Sequence, residues 1–593
     1  MLRGPDARLR LVTALLIAAL VPVFVQLLRL QVLEHKTYQV QAASIVQKPY
    51  SLPEPPPGSI FDRNGALLVG NVPVVNVGAE VTLIRTVTET LGAASDLAPH
   101  LGMTKEDVAR RLTPPPSPEK ASWCAYPEGR IWCSLADGVD SEAAAKIEKL
   151  KYETWPWLTL EPTWQRFYAE GALASHTLGF VNDEGEGYGV EAFQQRFLRP
   201  QRIDDTGDVN IEMEPFALEM LEGQVRAYPG TDLRLTIDRT IQAFVEGELE
   251  KALVEFKAQG GTILVMDPRN GAILAVAGRP NYEPYDYAAY WERGESDAFV
   301  DPVVSVAYEP GSVFKVLTVA AALDSGAVNM NWSYHDTGII EYGGVSVQNW
   351  DRQPYGQQNL QGVVNNSLNV GVATLTTQHT GAEAFYRYLR LFGFGRLTGI
   401  GLAGEVGGVV HMPTDLDWQD GFLATNAFGQ GITVTPLQMA TAVSAIANDG
   451  VMMAPHIVES RRFPDGRVVD TPPRVLERPI RAETAQLVTD LMAEAVVSKL
   501  TMAQVPGYAI AGKTGTAQIP ITGGYDPVDV ITSFIGFGPL PDPELLVLVK
   551  IDKPGIEPHL RWGTQTAAPV FRRVAERLFV LLGIPPSDLG AGP

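Results

Sequence analysis

Cysteine is scarce in this chain: only Cys124 and Cys133 occur among 593 residues. Two thiolates cannot build a cysteine-held metal cluster. The eight histidines are scattered without ligand spacing, so neither a metal nor a cofactor is expected. Positive charge is also in short supply. Lys and Arg number 47 against 68 Asp and Glu, a formal net charge of −21. Nucleic-acid binding rests on basic surface, so that class of partner is excluded, and the acidic surface reads as a solubility device. Beyond residue 28 no long apolar run appears, which removes any further membrane span from the expectation. What remains is an ordinary globular composition, 45% apolar and 19% charged. The length calls for more than one domain, since single cores rarely grow past ~250–300 residues.

The single long apolar run comes first. Leu11 to Leu28 carries no charge, and Arg3, Arg8 and Arg10 precede it against Asp6. That length suffices for one bilayer crossing, and the arginines place the N-terminus in the cytoplasm. Residues 1–10 are thus a cytoplasmic tail, 11–30 a transmembrane anchor, and the rest extracytoplasmic. A cleaved signal peptide is the rival; its apolar core would be about 7–15 residues long and end at a small-x-small site, not found here.

The two cysteines bracket a hairpin that turns at Glu128-Gly129 and sets Cys124 opposite Cys133. Two readings stand: a cross-strand disulfide, which persists only outside the cytoplasm, or two unpaired buried thiols.

Residues 29–43 continue as a polar helix until Pro53 and Pro55–Pro57 break it. Asn64-Gly65 then marks a hairpin. Up to about Tyr228 short strands and helices alternate without a catalytic constellation, and the carboxylates Glu186 and Glu191 are read as structural. This is a pedestal, residues 31–228. From 229 to 582 the order changes. An amphipathic helix over Arg239–Phe256 precedes two nearly continuous apolar runs, Gly261–Met266 and Ala272–Ala277, joined by a turn at Asp267–Gly271. Further strands are expected over Ser533–Gly538 and Leu545–Asp552, and a closing helix over Ala567–Leu582. Strands from both ends around a helical middle give an α+β domain, one antiparallel sheet packed with helices plus a helical subdomain. Residues 583–593 are a tail.

Three short patterns in that domain carry chemistry. A helix-forming run begins near Ser312, and from Val313 to Leu323 Lys315 is its only charge. At i and i+3 the two share a face. A buried ammonium sheds its proton, and a neutral lysine beside a hydroxyl is a general base beside a nucleophile. The bland rival is a lysine snorkelling from a helix edge. The other Ser-x-x-Lys, Ser117 to Lys120, lies in a proline-rich loop where nothing buries the lysine. Ser367 and Asn369, two apart, can face one cleft, a proton relay beside an amide that holds a carbonyl; a helix cap is the rival. Lys513-Thr514-Gly515-Thr516 reads as a strand offering a cation, two hydroxyls and a glycine where a ligand's backbone comes close; the rival is an edge strand with incidental polar residues.

Ser-x-x-Lys, Ser-x-Asn and Lys-Thr-Gly in this order resemble the class B penicillin-binding proteins, the D,D-transpeptidases of peptidoglycan synthesis. GSIFDRNG (58–65), HTLGFVNDEGEGYGVE (176–191), LTID (235–238), FGQGITVTPLQMATAVSAIANDG (428–450) and SFIGFGP (533–539) extend the resemblance over nearly the whole chain.

The resemblance implies that Ser312 is the acylated nucleophile, Lys315 its base, Ser367 a proton relay and Lys513 the cation of that network. It implies that Asn369 binds the donor amide, and that Thr514, Gly515 and Thr516 form the carboxylate receptor. Stem peptides and β-lactams are the implied ligands, and a separate membrane glycan polymerase with other division or elongation proteins the implied partners; YEPGSVFK (308–315) and SFIGFGP (533–539) lean modestly towards the division type. A D,D-carboxypeptidase, a β-lactamase or β-lactam sensor, and a scaffold of a wall-synthesis complex are the alternatives.

Overall fold

The computed structural model describes residues 55–115, 123–126, 130–182, 185–203 and 226–587. The anchor expected at 11–30, the Ser117 and Lys120 pattern and the Glu128-Gly129 turn lie outside them. Among the described residues no helix is long and apolar enough to cross a membrane.

The long strand Leu67–Glu80 organises the first lobe. It grows out of the predicted hairpin: Gly65 takes φ +85°, and Asp62 Oδ1 accepts from the N–H of Asn64 and of Ala66 at 2.8 and 2.7 Å. Ile60–Phe61 pairs antiparallel with this strand and parallel with Asp232–Leu235. Val458–Arg462 adds to Asp232–Leu235 in turn. One eight-stranded sheet therefore gathers strands from three distant parts of the chain. On its outer part Leu158–Tyr168 and Trp132–Val139 flank Leu67–Glu80. Helices Val87–Leu101, Lys105–Leu112 and Ser141–Glu153 cover that part, each started by a side-chain cap, Thr86, Thr104 and Asp140. Val77, Leu97, Val108, Leu135, Ile147 and Trp157 form the core between them. Cys124 pairs with Cys133 across the strands, Cα atoms 4.0 Å apart, and the two form a disulfide.

The second lobe is built on an antiparallel sheet in the order Ile273–Arg279, Gly260–Met266, Leu545–Asp552, Gly524–Gly538, Ala511–Ile521. Every residue of Gly260–Met266 is buried, as expected for a strand covered on both faces. Helices Arg239–Phe256 and Ala567–Leu581 pack on the sheet and on each other, and Pro436–Ala447 packs on its central strands. The last is buried along its whole length and opens with a reciprocal cap between Thr435 and Gln438. The α+β class holds. The strand expected to start at Ser533 begins at Gly524, because the polar half of a long hairpin carries no apolar pattern to mark it.

Candidate active site

Ser312 is reached through a tight entry. Gly311 adopts φ +59°, and its N–H donates to the carbonyl of Gly429 at 3.1 Å. Gly311–Phe314 form a 3₁₀ turn that passes into the α-helix Lys315–Asp324. The first turn is thus wound more tightly than the α-helix expected from Ser312, a common form of helix start. Ser312 stays half-exposed while Lys315 is 1% exposed.

The hydrogen bonds of Lys315 run to Ser367 rather than to Ser312. Its Nζ donates to the Ser367 carbonyl at 2.5 Å and to the hydroxyl at 3.2 Å. Ser367 links the helices Leu360–Asn365 and Asn369–Thr374 and sits at φ +53°. A left-handed serine is uncommon and strained, and here it turns carbonyl and hydroxyl toward one cation. Lys513, also 1% exposed, donates to the same hydroxyl at 3.0 Å and to the carbonyl of Thr514 at 3.1 Å.

Two buried ammonium groups on one oxygen cannot both keep their protons cheaply. Burial drives Lys315 well below the usual lysine range, and the charge of Lys513 pushes it further. Burial alone lowers Lys513, to about 7. Lys315 is therefore the member of the pair that gives up its proton first.

Lys513 to Thr516 lie on the edge strand of the sheet. A Cβ on Gly515 would stand 2.4 Å from Ser533 Oγ and 3.2 Å from the carbonyl oxygen of Pro310, so glycine lets the strand lie directly on the serine turn. Thr516 Oγ1 accepts from the Gly563 N–H at 3.0 Å, which leaves its own proton to donate elsewhere. Thr514 is half-exposed beside it. Asn369 donates from Nδ2 to the Gln348 carbonyl at 2.8 Å. The sequence-predicted residues thus divide into a contact group of Lys315, Ser367 and Lys513, the Ser312 turn packed on Gly515, and Asn369 on the next helix.

Sequence reasoning passed over Glu309, three residues before Ser312. It is buried, accepts from Gly431 N–H at 2.9 Å and Tyr525 O–H at 3.4 Å, and burial pushes its carboxyl upward. It also passed over Gly563, whose place beside Thr516 no local pattern signals. Glu186 and Glu191 do not form a pair. Glu186 is exposed, whereas Glu191 is buried against Arg166, whose Nε donates to it at 2.9 Å. Among the described residues no group of three or more His, Cys, Asp or Glu side chains is placed to hold a metal ion.

Comparison with known proteins follows the same outline. Residues 261–576 match the penicillin binding protein transpeptidase domain, and residues 53–205 the penicillin-binding protein dimerisation domain. Stage V sporulation protein D of Bacillus subtilis is 33% identical over 90% of this chain and 79% of its own length. The peptidoglycan D,D-transpeptidase FtsI homolog of Mesostigma viride is 28% identical over 71% of this chain and 74% of its own. The crystal structure of penicillin binding protein 3 from Mycobacterium tuberculosis, complexed with aztreonam, superposes with a TM-score of 0.65 at 25% identity, covering 91% of this chain and 98% of that one.

Proposed function

The chain belongs to the penicillin-binding protein transpeptidase family, and on that basis we propose how its site works as a serine D,D-transpeptidase of peptidoglycan. The observation that carries the assignment is the meeting of Lys315 and Lys513 on Ser367 beside the Ser312 turn.

Ser312 Oγ attacks the carbonyl between the last two D-alanines of a stem peptide, and neutral Lys315 takes the hydroxyl proton. The backbone N–H groups of Ser312, at the helix start, and of Thr516 stabilise the developing oxyanion. The C–N bond breaks as Ser367 passes a proton to the departing D-alanine amine, and Lys513 supplies the positive charge that favours this transfer. Thr514 and Thr516 bind the terminal carboxylate over Gly515, and Asn369 the donor amide. An amine of a second stem peptide then attacks the ester, forming the cross-link and returning the proton to Ser312. β-Lactams acylate the same oxygen and remain. Water in place of the amine would make the enzyme a carboxypeptidase, so the ratio of cross-linked to hydrolysed product separates the two.

The finer assignments rest on the same reading. Residues 31–228 are the pedestal and 229–582 the catalytic domain, held outside the cytoplasm by the anchor at 11–30. The Cys124–Cys133 disulfide supports an oxidising compartment. The enzyme works beside a separate glycan polymerase, on the division side of wall growth. Fluorescent penicillin tests the centre of the proposal. Wild type and Ser117→Ala take the label and Ser312→Ala does not; label retained on Ser312→Ala would refute it.

A further inference from the structure

The two walls of the site meet twice. At the floor, Lys513 of the edge strand reaches Ser367. At the rim, the rings of Trp350 and Trp562 meet edge to face, centroids 5.2 Å apart. Each tryptophan is tied to a different wall. Trp350 donates from Nε1 to the Asn366 carbonyl at 3.2 Å, one residue before Ser367. Trp562 immediately precedes Gly563, whose N–H holds the Thr516 hydroxyl. Gly563 itself presses on the strand: a Cβ there would lie 2.4 Å from the Gly515 carbonyl oxygen. The aromatic pair therefore spans the cleft at the end where the carboxylate receptor sits.

Both rings are unusually open for their size, Trp350 53% and Trp562 38% exposed. A large aromatic left open at a rim is suited to pack against an apolar group of a ligand, and Trp350 has its N–H anchored on the Asn366 carbonyl as well. We infer that Trp350 and Trp562 set the leaving-group specificity, packing against the residue that carries the terminal carboxylate and limiting it to a small side chain. This rests on the acyl-enzyme reading above. On this inference a methyl group at the carbon bearing the carboxylate is admitted, and a bulky substituent there is turned away by the indoles.

The test uses the full chain and two thioester analogues of acyl-D-alanine that differ only in the leaving group, an α-methyl or an α-benzyl thioglycolate. Trp562→Ala raises kcat/KM for the benzyl analogue relative to the methyl one by about tenfold, the scale on which apolar pockets discriminate by size. Trp562→Phe restores most of the wild-type ratio, which loss of general structure would not do. Trp350→Ala removes the other ring and shifts the ratio in the same direction, so the test stands if the Trp562→Ala protein fails to fold. An unchanged ratio in the folded variants, with wild type labelled by penicillin at Ser312, overturns this inference alone. Absence of label on wild type overturns the acyl-enzyme reading and this inference with it.

Discussion

Lys315 and Lys513, from a helix and a strand nearly two hundred residues apart, donate to one hydroxyl, that of Ser367, at 3.2 and 3.0 Å. Their proximity lets the charge of Lys513 weigh on the proton of Lys315, on top of the burial that lowers both members of this two-lysine unit. Catalysis needs the unit singly charged, with Lys315 neutral as base and Lys513 positive.

The pH dependence follows from the signs. Both lysines sit below their ordinary range, so both lose protons on the way up. Activity rises as Lys315 deprotonates and falls as pH passes about 7, where Lys513 gives up its charge. The second-order rate of acylation by penicillin is therefore expected to be bell-shaped. Arginine keeps its charge throughout, so Lys513→Arg loses the alkaline limb whatever its overall rate. A wild-type rate still climbing at alkaline pH would contradict the assignment of the two roles.

Ser367 separates backbone from hydroxyl. Its φ of +53° suits glycine better than serine. Ser367→Gly is expected to melt at or slightly above the wild-type temperature, yet to acylate about 10²–10³-fold more slowly, the usual scale for loss of a proton-transfer group. Ser367→Ala would be as slow and less stable. A fast Ser367→Gly enzyme would remove the relay from the mechanism.

The pieces of this site were legible in the sequence to the extent that each stood in a local pattern. Lys315 was marked as the one charge in an apolar helix, and the Gly261–Met266 and Leu545–Asp552 strands by unbroken apolar runs. The convergence of Lys315, Ser367 and Lys513 is a tertiary fact that spacing could only suggest. Trp562 and Gly563 reach the site from a loop with no periodicity of its own. The pairing of Ile60–Phe61 with Asp232–Leu235 was also hidden, because a two-residue strand carries no pattern that names its partner. Glu309 was visible as a letter, but its burial depends on Gly431 and Tyr525, both more than a hundred residues away.

Gly515 tests how closely strand and serine turn must approach. The nearest obstacles to a side chain there are Ser533 Oγ at 2.4 Å, Val313 Cγ1 at 3.1 Å and the Pro310 carbonyl oxygen at 3.2 Å. The serine hydroxyl can rotate away, but the turn cannot move without displacing Ser312. Gly515→Ala is expected to keep the fold, at a cost of about 1–3 kcal/mol for overpacking, while acylation slows by about 10²-fold, as for a small misplacement of reacting groups. Far-UV circular dichroism with penicillin kinetics checks both; unimpaired acylation would mean that the turn tolerates a wider gap.

Arg166 tests the pedestal rather than the chemistry. Its guanidinium holds the buried Glu191 and also donates to the Gly58 carbonyl and Asn71 Oδ1, at 2.8 and 2.9 Å. Burial already pushes the Glu191 carboxyl up, with Arg166 opposing it. Arg166→Ala leaves that carboxylate without its cation, a loss of about 3–5 kcal/mol. The pH sign is then fixed. With its folded pKa raised further, Glu191 holds its proton in the native state over a range where the unfolded chain has lost it, so the variant loses stability as pH rises through that range. Its deficit against wild type should shrink on acidification toward the ordinary glutamate value and be largest above the raised one. Arg166→Ala combined with Glu191→Gln, which buries no charge, should recover part of the stability at neutral pH. Denaturant unfolding of wild type and the two variants across pH measures this, and a pH-independent deficit would show that Arg166 acts only through its bonds to Gly58 and Asn71.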